Sequence, residues 1–175
     1  LYEQINERFS SSEFLVIALS NDDIFSNVSL ANLRNLEAEL EQVVNVANVI
    51  SVLDAPLFEQ PKLSLVKSAT NEKYLLIDDL DLSSAKQELI ESPLFNELIV
   101  NNSGTAVAMQ INLDDAVDYD TTVKQIRDIL NEEINFKSYL AGPAMIVSDT
   151  ISFIKNDVLI FGCLTFLCLL YTSPS

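Results

Sequence analysis

Runs of apolar residues and apolar–polar alternation predict the strands. Residues 13–20 read EFLVIALS, a continuous apolar run that ends at the turn-forming Asn21-Asp22-Asp23. Because both of its faces are apolar, this segment is predicted to be a central strand covered on both sides. Residues 105–113 alternate instead, which predicts one semi-polar face and one core face. The core face would carry Val107, Met109, Ile111 and Leu113. Further strands are predicted at 48–53, 73–77, 98–100 and 136–141.

A three- and four-residue spacing of apolar positions predicts the first amphipathic helix. Ser29 is interpreted as its N-cap, and the stripe indicates about five turns. The glutamates at 37, 39 and 41 fall largely outside that stripe. The stripe consists of Leu30, Leu33, Leu36, Leu40, Val43, Val44 and Ala47.

Two more helices follow from capping and spacing. Ser84 with Gln87 resembles a capping box, which predicts a short helix that ends near residue 91, before Ser92-Pro93. A longer helix is predicted from about 119 to 135, with Asp120 able to pair with Lys124. Its buried stripe would be Val123, Ile126, Leu130 and Ile134.

The order of these elements predicts the fold class. A β-α-β unit, an irregular insertion at 55–72 and a second β-α-β unit predict an α+β domain of the ferredoxin-like split β-α-β type. A hairpin turn is predicted at Asn101-Asn102-Ser103-Gly104, between the strands 98–100 and 105–113. After Gly142-Pro143 a helix is predicted from about residue 144. If it runs unbroken into the apolar segment that follows, it is a rigid lever.

Residues 158–171, VLIFGCLTFLCLLY, carry no charge. Fourteen helical residues rise about 21 Å, less than the ~30 Å hydrocarbon core, so we predict a transmembrane helix whose remainder is missing. The absence of an initiator Met at Leu1 agrees with a piece of a longer polypeptide. The chain is predicted to divide into an extracytoplasmic domain (1–142), a connecting helix (143–157), the truncated transmembrane helix (158–171) and a polar tail (172–175). The tail is a candidate for a non-native addition.

Charge and composition narrow the function classes. The net charge of −16, from 10 Lys+Arg and 26 Asp+Glu, excludes binding to nucleic acid. With no histidine, the usual general base and the commonest transition-metal ligand are missing. The sequence also has no phosphate-binding glycine loop, nucleophile elbow or Cys/His pair. We therefore predict no enzyme activity and no cofactor, and we interpret Cys163 and Cys168 as apolar fillers of the membrane helix.

Two acidic clusters raise the question of a metal site. Such carboxylates could bind Ca²⁺ or Mg²⁺, but neither cluster has the glycine turn and the twelfth-position Glu of an EF-hand. We interpret them as solvated loop acids and helix N-terminal charges, and predict no metal site. The clusters are Asp78, Asp79 and Asp81, and Asp114, Asp115, Asp118 and Asp120.

Taken in order, these segments resemble the resistance-nodulation-division (RND) superfamily, in particular its MMPL-like exporter branch. Tyr2 and Phe9 precede the strand EFLVIALSNDDIF, and the stretch LRNLEAELEQVVNVANVISVLDAP follows. SPLFNELIVNNSGTAVAMQINL and YLAGPAMIVSDTISFIKNDV complete the pattern, which extends from about residue 2 to 171.

The resemblance implies a porter domain between the first and second transmembrane helices of a proton-driven transporter of the cell (inner) membrane. The domain would lie on the periplasmic or extracytoplasmic side. The stretch 149–157 before the membrane segment agrees with this, because it has one cation, Lys155, between two acids, whereas cytoplasmic flanks are rich in Lys and Arg. The implied cargo is apolar or amphipathic, such as lipids or drugs. Implied partners are membrane lipids around the C-terminal helix, a missing pseudo-repeat domain of the same chain and further copies in a homo-oligomer.

The resemblance assigns structural roles to three residues. Gly142 and Pro143 match the family's small-Pro joint before the second helix, which implies a hinge. Asp157 matches an acid at the start of that helix, which implies a membrane-interface anchor. The proton-relay carboxylates of the family lie in a later helix, so none is assigned here. Two alternatives remain open: a singly membrane-anchored ferredoxin-like sensor or binding domain, and a metal-dependent hydrolase that uses the acidic clusters.

Overall fold

The computed structural model describes residues 14–57, 74–76, 80–114 and 119–172. These residues form one four-stranded sheet, helices that pack against it and a long C-terminal helix. The strands are β1 (Phe14–Ser20), β2 (Val46–Ile50), β3 (Ala106–Leu113) and β4 (Lys137–Ala141). The helices are α1 (Asn27–Leu40), α2 (Leu82–Glu91), α3 (Tyr119–Glu132) and α4 (Pro143–Thr172).

The strands lie in the order β2-β3-β1-β4, and every neighbouring pair is antiparallel. Helix α1 connects β1 to β2, and α3 connects β3 to β4, so β1 and β3 lie side by side at the centre of the sheet. This arrangement confirms the predicted α+β class with two split β-α-β units.

Only one face of the sheet is buried by the described residues. Leu15, Ile17 and Leu19 of β1 are fully buried, and the inward residues of β3 join them in one core with those of α1 and α3. On the other face Ala18 is exposed and Phe14 is 38% exposed. The prediction that β1 is covered on both sides is therefore wrong for the described part of the chain. A continuous apolar run does not tell which element, if any, covers its second face.

Helix α1 is shorter and starts earlier than its apolar stripe predicted. The Oγ of Ser26 accepts a hydrogen bond from the Ser29 N–H at 3.2 Å, so Ser26 is the N-cap and Ser29 lies within the helix. The leucine stripe is buried as predicted, but the helix ends at Leu40. Asn45 then adopts a left-handed φ of 71°, which directs the chain into β2. Pairing with β3 thus outcompetes the continuation of the stripe through Ala47, which lies in β2.

Other boundaries also shift where local hydrogen bonds decide them. Helix α2 is capped by Asp81, whose Oδ1 accepts the N–H of Ser83 and Ser84, rather than by Ser84. Ser51 caps the 3-10 turn Val52–Asp54, so β2 ends before the predicted strand 48–53 does.

Two predictions fail at other chain segments. The described part of the predicted strand 73–77 is a 3-10 turn, Tyr74–Leu76; residues 73 and 77, and most of the 55–72 insertion, lie outside the described residues. Helix α3 ends at Glu132, and Ile134 is 92% exposed, so it is not part of the buried stripe.

The predicted hairpin turn is confirmed, with Asn101 at its centre. The Asn101 Oδ1 accepts hydrogen bonds from the N–H groups of Thr105 and Ala106 at 2.8 and 3.0 Å. Gly104 has a φ of 62°, and a Cβ there would lie 2.2 Å from the Cε of Lys86 on α2. In place of the predicted strand 98–100, a single β-bridge joins Val100 to Val107 of β3, because the residues before Val100 form turns.

Candidate functional site

The joint between the domain and α4 is the first candidate site. Helix α4 runs unbroken for 30 residues, about 45 Å, and joins the predicted connecting helix to the apolar segment. Only Ala144 and Ser148 of α4 are buried, and every residue from 150 to 172 is exposed. Within the described residues, α4 is the one helix whose length and composition suit a membrane span. The first two turns therefore pack on the domain, α4 remains beside α3 as far as Lys155, and the rest projects from the domain.

Gly142 makes the close turn from β4 into α4 possible. Its φ is +135°, a region that residues with a Cβ rarely adopt. A Cβ on Gly142 would lie 2.7 Å from the carbonyl oxygen of Phe14 and 3.0 Å from the Cα of Leu15. Pro143 is the first helical residue, where its fixed φ is favourable. The backbone at the joint is thus pressed against β1; the hinge role of Gly142 and Pro143 stays a prediction.

Two ion pairs hold α4 against α3. Arg127 on α3 binds both carboxylate oxygens of Asp149 on α4, with Nη1–Oδ1 at 2.9 Å and Nη2–Oδ2 at 3.0 Å. Lys155 Nζ lies 2.9 Å from Asp120 Oδ2. The two pairs are seven residues apart on α3 and six apart on α4, about 10 Å along each axis. Both pairs are partly exposed, so they favour this orientation of α4 relative to the domain without locking it.

The predicted partner of Asp120 was Lys124, but the structure pairs this carboxylate with Lys155. The hydrogen bond and the charge of the Lys155 ammonium hold the pKa of Asp120 below its usual value of about 3.9. Lys124 adds a weaker attraction in the same direction. Spacing within α3 suggested the nearer cation, whereas helix packing decided the actual partner.

The Asp120–Lys155 pair predicts a pH dependence. Because the pKa of Asp120 is lower in the folded state, its stabilising effect is complete above about pH 4 and is lost as the pH falls through the lowered pKa. We expect Asp120→Asn to lower the unfolding midpoint at pH 7, and the difference from the unmodified chain to shrink below about pH 4. Thermal unfolding followed by circular dichroism across pH 3–8 measures this. Asp128→Asn on the exposed side of α3 is the matched control; an equal effect of both variants would contradict the assignment.

The open face of the sheet holds the second candidate site, a groove of about 350 Å³ that we call the open-face trough. Its floor is formed by Ala18, Ala106 and Ala108, and one wall by Leu98 and Ile99. The Ile99 carbonyl accepts a 2.7 Å hydrogen bond from the Ala108 N–H, which holds the wall along the edge of β3. The trough exists because small side chains form the floor between larger neighbours.

The other half of the open face is polar. Asn112 donates to Asn48 Oδ1 and Gln110 donates to Asn112 Oδ1, both at 2.7 Å. These amides lie towards the Phe14 end of the sheet, where the chain passes into α4. The apolar trough therefore lies at the end of the sheet that is farther from α4.

The remaining predicted site residues are placed as follows. Asp157 is exposed on α4, two residues beyond Lys155, and its role as a membrane-interface anchor stays a prediction. Cys163 and Cys168 are exposed on α4 as free thiols. Asp81 caps α2, while Asp78, Asp79, Asp115 and Asp118 lie outside the described residues. Among the residues that the structure describes, no group of three acidic, Cys or His side chains could hold a metal ion.

Sequence reasoning missed the Arg127–Asp149 pair and the trough. The seven-residue spacing of Asp120 and Arg127 places both on one face of α3, and this spacing was the available signal. The six-residue spacing of Asp149 and Lys155 places them about 120° apart around α4 and gave no such signal. The trough had no such signal because its floor and wall come from three separate segments.

A comparison with protein families decides the class of protein. The model of the MMPL family matches residues 7–172, which include the whole sheet and all of α4. The chain belongs to the MMPL family. No curated protein matches the chain. MMPL proteins are membrane-integral transporters rather than enzymes, so the MMPL match agrees with α4 as a membrane helix and with the resemblance stated above.

Proposed function

We propose that this chain is the porter part of a proton-driven MMPL transporter of the cell (inner) membrane. Its α+β domain lies on the periplasmic or extracytoplasmic side and admits apolar or amphipathic substrates such as lipids or drugs. Conformational change reaches the domain through α4, which moves with it as a lever. Gly142 and Pro143 provide the hinge, and Asp157 lies at the membrane interface.

The observation that carries this proposal is the continuity of α4 from the sheet to the end of the apolar segment. A helix without a break transmits both translation and rotation, whereas a flexible linker transmits neither. The bidentate Arg127–Asp149 pair and the Asp120–Lys155 pair couple that motion to α3. Rotation of the membrane part would therefore turn the domain as well.

Helix α4 offers exposed apolar side chains to the proposed partners. On α4 the apolar side chains of Ile146, Phe153 and Ile154 are 57–69% exposed before the uncharged segment begins. We propose that the pseudo-repeat domain of the same transporter covers them, with lipids around the helix beyond Val158. Alternatively, further copies of the chain in a homo-oligomer cover these side chains.

The lever is tested by inserting alanines after Asn156 in the complete transporter. Two residues rotate the membrane part by about 200° relative to the domain, and four residues by about 40° beyond a full turn. We expect the two-residue insertion to reduce gradient-driven transport of a lipid-like dye in proteoliposomes more than tenfold. The four-residue insertion, although longer, should retain more activity.

The comparison of the two insertions separates a lever from a tether. If α4 were only a tether, transport would depend on insertion length and not on helical phase. Equal activity of both variants, at equal amounts in the membrane, would contradict the proposed mechanism. A complete transporter that moves no lipid-like dye under a proton gradient would contradict the proposed function.

A further inference from the structure

We infer that the open-face trough binds the alkyl chain of a cationic amphiphile, with its positively charged group beside Glu97. This inference rests on the proposed function, because it names the substrate class that the porter domain would select. It goes further in assigning the site and the sign of the ligand's charge.

The shape of the trough suits an alkyl chain. A volume of about 350 Å³ lies in the range of small-molecule sites. In the register of the sheet Ala18 lies between Ala108 and Tyr139, so the alanine floor has an aromatic residue on one side and the Leu98–Ile99 wall on the other. Leu98 and Tyr139 are 72% and 67% exposed, so they offer apolar area that a ligand would remove from water.

The charge of the trough selects a cation. Of the described residues that line it, Glu97 is the one with an ionisable side chain. On β4, Lys137 pairs with Ser20, and Ser20 pairs on its other side with Ala106 of the trough floor. Lys137 therefore lies two strands away from Ala106, at about 10 Å. The net charge of −16 further disfavours fatty acids, sulfates and anionic lipids.

The position of Glu97 is held at a conformational cost. Its φ is +62°, a left-handed conformation that is unfavourable for a residue with a Cβ. Its N–H donates to the Val100 carbonyl at 2.8 Å, and its Oε1 accepts from Asn102 Nδ2 at 2.8 Å. Glycine would suit this backbone better, but only a carboxylate places a negative charge at the rim. A strained backbone and a carboxylate held by Asn102 thus occur together at the edge of the open-face trough.

The test uses the full chain in nanodiscs with ¹³C-methyl-labelled alanine, because alanine methyl groups form the floor. Decyltrimethylammonium, added below its micelle concentration, should shift the Ala18, Ala106 and Ala108 signals in a saturable manner. The exposed Ala38 on α1 should not respond. We expect decyl maltoside to bind more weakly than decyltrimethylammonium, and decyl sulfate at least tenfold more weakly.

Matched variants assign the two parts of the ligand. Ala108→Phe, which fills the trough, should weaken binding more than tenfold, whereas Ala38→Phe should not. Glu97→Gln should weaken binding of the cation about threefold and leave decyl maltoside unchanged, in line with a partly exposed ion pair. Glu39→Gln, an exposed glutamate on α1, controls for net charge. Since Glu97→Gln keeps the backbone conformation, an unfolding midpoint near that of the unmodified chain is the control for folding.

Three results would overturn the inference: no shift of the trough methyl groups, equal or tighter binding of decyl sulfate, or binding that survives Ala108→Phe. Binding in nanodiscs needs no gradient, so it is independent of the transport assay. Failure of binding with intact transport would leave the proposed function standing. Binding without transport would contradict the proposed function and retain the site.

Discussion

Replacing Ile17 with aspartate is expected to unfold the domain, whereas the same replacement at the neighbouring Ala18 is expected to leave it folded. Ile17 is fully buried in the central strand, so Ile17→Asp loses its apolar contacts and places a carboxylate in the core. We expect a loss of more than about 4 kcal/mol in the free energy of unfolding. Ala18 lies on the open face, where Ala18→Asp should cost less than about 1 kcal/mol.

Denaturant unfolding of both variants, followed by circular dichroism, measures this difference. The pair is matched because the two positions are adjacent in β1 and receive the same side chain. A similar large loss for Ala18→Asp would show that the open face is buried by part of the chain outside the described residues. The result therefore also tests whether the trough is accessible.

Gly142→Ala is expected to destabilise the joint by about 3 kcal/mol. The added Cβ would lie 2.7 Å from the Phe14 carbonyl oxygen, and the φ of +135° is strained for alanine. Because β1 is held by β3 and β4 on its two sides, its backbone cannot easily move away. We expect a lower free energy of unfolding and faster amide exchange in the first two turns of α4.

Gly162→Ala is the matched control, since a Cβ at Gly162 meets nothing within 4 Å. In the middle of a helix, alanine is favoured over glycine by up to about 1 kcal/mol, so this variant should be neutral or more stable. Loss of stability at Gly162 as well, or none at Gly142, would mean that close packing at the joint does not explain the glycine.

Local patterns predicted much of the fold because core residues recur at regular spacings, every second residue in a strand and every third or fourth in a helix. The alternation in β3 identified its four buried residues, and the leucine spacing identified the buried stripe of α1. The Gly142-Pro143 pair marked the start of α4, because a missing N–H is harmless at the first helical position. Boundaries were less predictable, since Ser26 and Asp81 become caps only through the hydrogen bonds that their side chains make.

The candidate sites were less accessible to prediction than the fold. Asp120 has a cation four residues away in sequence, yet it binds Lys155, 35 residues away, because α3 and α4 pack side by side. Glu97 had no distinguishing pattern, and its importance follows from a left-handed backbone and from Asn102 beside it.

By itself, the sequence determined the α+β class, the core face of β3, the acidic charge and the presence of an apolar helix, because each depends on residue type at short, regular spacings. Only the tertiary structure decided that the described residues leave one sheet face open, that two ion pairs join α4 to α3, and that three alanines and the 97–102 segment line a trough. Those features depend on contacts between residues far apart in the chain, and the spacing of residues along the chain does not specify such distances.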